Sequence, residues 1–129
     1  MICEKVTYVD YNGTERTEDF YFNLTEQELA EMNFATEGGV KSLIERAVNA
    51  KDEQEVSRLF SLFINKSYGV KSPDGRLFRK SEEILADFKA SPAYSMIYMK
   101  LLSDMEEANR FLKGMLNIPD GKAGNLTVV

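Results

Sequence analysis

The chain has 129 residues, 43% of them hydrophobic and 29% charged, with a formal net charge of −5. That length and balance describe one globular domain that needs neither a disulfide nor a metal to fold, and they exclude a disordered chain. The acidic excess opposes general nucleic-acid binding, the single cysteine excludes an internal disulfide, and no stretch reaches the ~20 apolar residues of a membrane span.

Residues 2–24 read as a β-hairpin. Val6, Thr7, Tyr8, Val9, Phe20, Tyr21 and Phe22 are strand formers, and Asn12-Gly13 between them is a turn signal. A two-residue loop at 12–13 would set Lys5 opposite Phe20 and split the apolar residues between faces. A three-residue loop, Tyr11-Asn12-Gly13, pairs Asp10 with Thr14 and gathers Ile2, Val6, Tyr8, Phe20 and Phe22 on one face, so this register is expected. Cys3 fits here as a small apolar strand residue of a protein kept in a reducing compartment. A lone hairpin is marginal in water, so its apolar face must lie on the rest of the chain.

From Thr25 the period is helical. Thr25 and Glu28 form a capping box, and Leu29 and Met32 give the first helix its apolar side. Glu37-Gly38-Gly39 ends it. A second helix, about 40–50, carries Val40, Leu43, Ile44, Ala47 and Val48 on one stripe. Asp52 is placed to cap a third, about 53–67, with Val56, Leu59, Phe60, Phe63 and Ile64 inward. Tyr68 to Lys80 reads as a connection around a type I turn at Ser72-Pro73-Asp74-Gly75. Ser81 caps a helix through Phe88. Ser91-Pro92 opens another, with Tyr94, Ile97, Tyr98, Leu101, Leu102 and Met105 on one stripe. Asp104 either caps a last helix or lies within a continuous one, and Ala108, Phe111, Leu112 and Met115 continue the pattern to Ile118-Pro119-Asp120-Gly121. The expected fold is mainly α: the N-terminal hairpin followed by a compact bundle of about five or six short helices. One domain should span 1–118, with the hairpin at 2–24 and the helices at 25–118, and 119–129 should be a flexible tail.

Little here points to chemistry. The chain has no histidine, which removes the commonest general base and metal ligand. Gly38-Gly39 lacks the lysine and hydroxyl of a phosphate loop, and Asp74-Gly75 lacks the further oxygen ligands of a calcium loop. Glu26, Glu28, Glu31, Glu82 and Glu83 cluster near helix starts, where the helix dipole accounts for them. No catalytic residue, cofactor or metal is expected, and the chain is read as a binding protein and not an enzyme.

Two surfaces are candidates for contact. Met96 and Met99 fall nearly opposite the apolar stripe that includes Tyr94 and Tyr98. Either that helix is buried on several sides, or Met96, Met99, Tyr94 and Tyr98 form an adaptable apolar patch for a partner helix or an identical subunit. Lys66, Lys71, Arg76, Arg79 and Lys80 gather around the 68–80 connection with only Asp74 against them. Lys71, Arg76, Arg79 and Lys80 are candidate contacts for an anionic partner, a solvated loop being the plainer reading.

Three segments carry a family resemblance. The first is Tyr8-Val9-Asp10-Tyr11-Asn12-Gly13-Thr14 through Phe20-Tyr21-Phe22-Asn23-Leu24-Thr25, followed by Glu28-Leu29 and Met32. The second runs from Lys66-Ser67-Tyr68-Gly69-Val70-Lys71 through Ser72-Pro73-Asp74-Gly75-Arg76-Leu77-Phe78-Arg79-Lys80 to Ser81-Glu82. The third is Ala93-Tyr94-Ser95 with Tyr98-Met99 and Leu101. Over residues 5–116 their order and spacing resemble tail assembly chaperones of long-tailed (siphovirus-type) bacteriophages. The first two segments are fairly specific, the third less so, and none is a catalytic motif.

The resemblance implies a protein that binds the long helical tape measure protein and keeps it soluble. It implies help in recruiting tail tube protein, action in the cytoplasm of the infected bacterium or lysogen, and absence from the mature virion. Tape measure and tube proteins, and further copies of the chain, are then the expected partners; nucleic acid and membrane are not. Two other readings stay open. One is a permanent head–tail adaptor or another small phage protein-binding module. The other is a small regulatory binder that uses the basic loop 66–80.

Overall fold

The computed structural model describes residues 1–49 and 53–116. The expected cap at Asp52, the side chains of Ala47 and Val48, the break at 118–121 and the tail 119–129 lie outside them.

Strands β1 (Ile2–Val9) and β2 (Glu15–Phe22) form the N-terminal hairpin in the three-residue-loop register. The Asp10 amide donates to Thr14 O at 2.8 Å, the Gly13 amide donates to Asp10 O at 3.0 Å, and Gly13 sits at φ 84°. A left-handed glycine at that point is what a three-residue loop needs. The register sets Ile2 opposite Phe22, Val6 opposite Glu18 and Tyr8 opposite Arg16, so Ile2, Val6 and Tyr8 share a face with Phe20 and Phe22.

The main correction lies between Tyr68 and Lys80. This stretch is a second hairpin, β3 (Tyr68–Lys71) and β4 (Phe78–Arg79), and it extends the first into a four-stranded antiparallel sheet of order β1-β2-β3-β4. The expected turn is present: the Gly75 amide donates to Ser72 O at 2.9 Å, with Gly75 at φ 77°. Its arms become strands because β2 offers a free edge, on which Tyr21 pairs with Gly69 and Phe22 with Tyr68. Gly69 is required there. A Cβ on it would stand 2.6 Å from the Phe78 ring and 2.9 Å from Arg79 O.

Among the described residues there are six helices: α1 (Glu26–Ala35), α2 (Gly39–Asn49), α3 (Glu53–Ser67), α4 (Glu82–Lys89), α5 (Pro92–Ser103) and α6 (Met105–Met115). Thr25 and Glu28 complete the capping box, and Ser81 Oγ accepts from the Ile84 amide at 3.1 Å. Asp104 does cap a separate last helix, accepting from the Glu106 and Glu107 amides. The chain turns there, which breaks the phase of the α5 stripe. Met105 therefore does not continue it inward and is 55% exposed.

Helix α5 is the centre of the helical layer. It packs on β1, α3, α4 and α6, while α4 lies on β3, and α2 bridges α1 to α3. The core joins Phe20 and Phe22 of the sheet to Phe88 of α4 and Phe111 of α6, with Tyr68 stacked on Phe88 at 4.0 Å between ring centres. Phe22, Phe63 and Phe111 are each at most 1% exposed. Each contributes roughly 1.5–3 kcal/mol on burial.

One residue of the inner sheet face breaks the apolar pattern. Glu4 lies between Ile2 and Val6 and is 2% exposed. Its carboxylate accepts from Arg110 of α6 at 2.6 Å and from Lys100 of α5 at 2.8 Å. Glu107 bridges the same two cations, at 2.7 Å from Arg110 and 3.5 Å from Lys100. The four charges tie β1 to both helices and fix how α5 lies on the sheet.

Candidate functional site

Ala93, Ile97 and Leu101 are the buried edge of α5. The two tyrosines of the candidate patch turn inward from it. Tyr94 meets Phe88 edge-on at 5.2 Å and donates to Asn65 Oδ1 at 3.3 Å. Burial pushes its phenol above the ordinary range, so it stays neutral. Tyr98 stacks on Tyr94 and its hydroxyl bonds the Ser57 hydroxyl on α3. Both tyrosines therefore hold α5 against α3 and α4 and are mostly buried.

The methionines point the other way. Met96 is 47% exposed and Met99 is 55% exposed, with exposed Ser95 next to Met96 and exposed Ser103 one helical turn past Met99. Helix α5 is covered by four elements, yet Met96 and Met99 stay outside those contacts. Met105 adds a third exposed thioether just past the Asp104 turn. A face of unbranched, polarizable side chains adapts to varied apolar partners with little loss of contact. Of the four candidate patch residues, Met96 and Met99 are exposed, and Tyr94 and Tyr98 pack on the core.

The basic candidates are dispersed. Lys71 pairs with Phe78 across β3 and β4, and Val70 pairs with Arg79, so the pleat puts Lys71 and Arg79 on opposite faces. Lys71 Nζ lies 5.6 Å from the Tyr21 ring centre on the outer face. Arg76 sits at the turn tip, 3.5 Å from Asp74. Lys80 is turned inward. Its ammonium donates to Asn23 O at 2.7 Å, Lys66 O at 2.9 Å and Glu28 at 2.7 Å. Burial alone would raise the Glu28 carboxyl, but the Lys80 hydrogen bond and the Thr25 amide hold it below the ordinary carboxylate range. Lys80 thus clamps the start of α1 to the end of α3 and is not free for an anion.

Phe34 was not marked by its sequence context, yet it is 90% exposed near the end of α1. The only signal was an aromatic residue off the Leu29 and Met32 side of a short helix. Among the described residues no group of three acidic, histidine or cysteine side chains is placed to hold a metal ion, and no helix is long and apolar enough to cross a membrane.

A family model described as phage tail assembly chaperone matches residues 1–119. The chain belongs to this family. No curated protein and no solved structure matches it. On this tail assembly chaperone, Met96 and Met99 are the exposed apolar residues of α5.

Proposed function

We propose that this tail assembly chaperone binds the tape measure protein through α5, keeps it soluble, and helps recruit tail tube subunits. It works in the cytoplasm of the infected bacterium or lysogen, makes and breaks no bond, and leaves before the virion matures. The observation that carries this reading is the outward placement of Met96 and Met99 on a helix whose other apolar residues are already engaged.

A tape measure protein is a long helix with an apolar stripe until the tube encloses it. Exposed stripes of that kind drive aggregation. Methionine side chains can follow the uneven surface of such a stripe. A net charge of −5 per copy keeps the coated filament dispersed. Weak binding by each copy allows displacement by tube subunits, and many copies on one filament supply the retention.

The test replaces both Met96 and Met99 with Lys and co-expresses the variant with the tape measure protein. The variant should fold as the parent does and recover much less soluble tape measure protein. Equal recovery from parent and variant would remove α5 from the proposal.

A further inference from the structure

A second apolar surface lies along α3, one step round the helix from the Ser57, Ser61 and Asn65 stripe that meets α5. A cavity of about 300 Å³ opens between α1 and α3, with Met32 and Leu62 in its lining. Another of about 480 Å³ opens between α3 and α4, with Leu62, Tyr68 and Leu85 in its lining. The two share Glu28, Leu62 and Lys66 and so form one groove that crosses α3, with α1 at one end and α4 at the other. Met32, Leu62, Tyr68 and Leu85 are packed on the core and only partly covered.

The charges along this groove are ordered. Glu28 and Lys80 neutralise each other at 2.7 Å. That leaves Glu31 at the α1 end, Lys66 in the shared middle and Glu82 at the α4 end. None of the three has an ion pair among the described residues. A groove with an apolar floor receives an amphipathic helix, whose anchor side chains fill the cavities.

We infer that this groove is a second helix-binding site, separate from α5, for an amphipathic helix whose apolar stripe is flanked by basic, acidic and basic residues in that order. The helix would set its two basic residues against Glu31 and Glu82 and its acidic residue against Lys66. The inference rests on the reading of the partner as a helical protein. With sites on two different helices, one copy can hold a partner at two places.

The experiment uses the full chain and two labelled helical peptides of about 20 residues, which span ~30 Å. They share one leucine stripe. One carries Lys, Glu, Lys along its flank, and the other Glu, Lys, Glu. Fluorescence anisotropy should show the first binding roughly tenfold more tightly in low salt, with the gap closing in high salt. The double substitution E31K and E82K should reverse the preference; both sites are exposed, and reversing the charge in the first turn of α4 should cost no more than about 1 kcal/mol, so the variant stays folded. The double substitution M96K and M99K should weaken both peptides alike, because both carry the leucine stripe, and leave the ratio between them unchanged. The inference fails if the parent does not distinguish the peptides, if the Glu31 and Glu82 changes leave the preference intact, or if the α5 changes abolish the preference. Tape measure protein kept soluble by a parent chain that ignores both peptides would sink the groove and spare the proposed function. Peptide preference as expected, beside an unprotected tape measure protein, would do the reverse.

Discussion

Glu4 offers the sharpest test of how β1 is held, because removing it and removing its partners should have unequal effects. Its carboxylate is 2% exposed, while the Lys100 and Arg110 side chains are 39% and 46% exposed. Replacing Lys100 and Arg110 together by Ala strands a buried anion without a counter-charge, which costs about 3–5 kcal/mol. Replacing Glu4 by Met removes the buried charge instead. Both cations are open enough to water to be rehydrated, and Glu107 stays beside them. That change should fall within roughly 1 kcal/mol of the parent in either direction, since apolar replacement of buried ions is often neutral or stabilising. Glu4→Gln should lie between, at about 1–3 kcal/mol, because its amide meets two cations with one acceptor and a misplaced donor. Urea denaturation followed by circular dichroism gives all three values at constant slope. The reasoning is refuted if the Lys100 and Arg110 double variant unfolds at the parent's midpoint, or if Glu4→Met is the least stable of the set.

Three further outcomes follow from the packing. Gly114→Ala in α6 should gain about 1 kcal/mol of helix propensity but lose more. A Cβ there would lie 2.7 Å from Ile2 Cβ, and an overlap of that kind costs about 1–3 kcal/mol, so the net urea midpoint should fall. Glu28, with its folded pKa below the ordinary value, contributes stability that is present above that value and lost as pH falls through the folded one. Between about pH 5 and 3 the parent should therefore lose stability, and Lys80→Met should flatten that slope; an unchanged slope would contradict the clamp. Phe34→Ser should leave the melting curve within roughly 0.5 kcal/mol of the parent, because the ring is 90% exposed and packs on little.

Local signals in the chain were enough to place most elements. Thr25, Ser81 and Asp104 cap helices where a short polar side chain precedes a helical stripe, and the hairpin register followed from which loop gathers the apolar residues on one face. Features that depend on distant partners were not legible. Strands β3 and β4 have four and two residues, too short for a period, and they exist because β2 has an edge to offer. Burial of Glu4 had no local signal, because its two cations stand 96 and 106 positions further along the chain. The α5 methionines could be singled out by their angle on the helix. Whether they faced solvent depended on how α5 lies among β1, α3, α4 and α6, which no helical wheel contains. The basic residues around 68–80 looked like one cluster because sequence distance hides the pleat that divides Lys71 from Arg79 and the strap that takes Lys80 inward.

Light scattering from a tape measure fragment diluted out of denaturant, with and without the purified chaperone, tests most directly whether this protein works by covering apolar helix. Scattering should be suppressed in proportion to added chaperone and return when Met96 and Met99 are both Lys. Scattering that rises to the same level whether or not the parent chaperone is present would contradict the proposal.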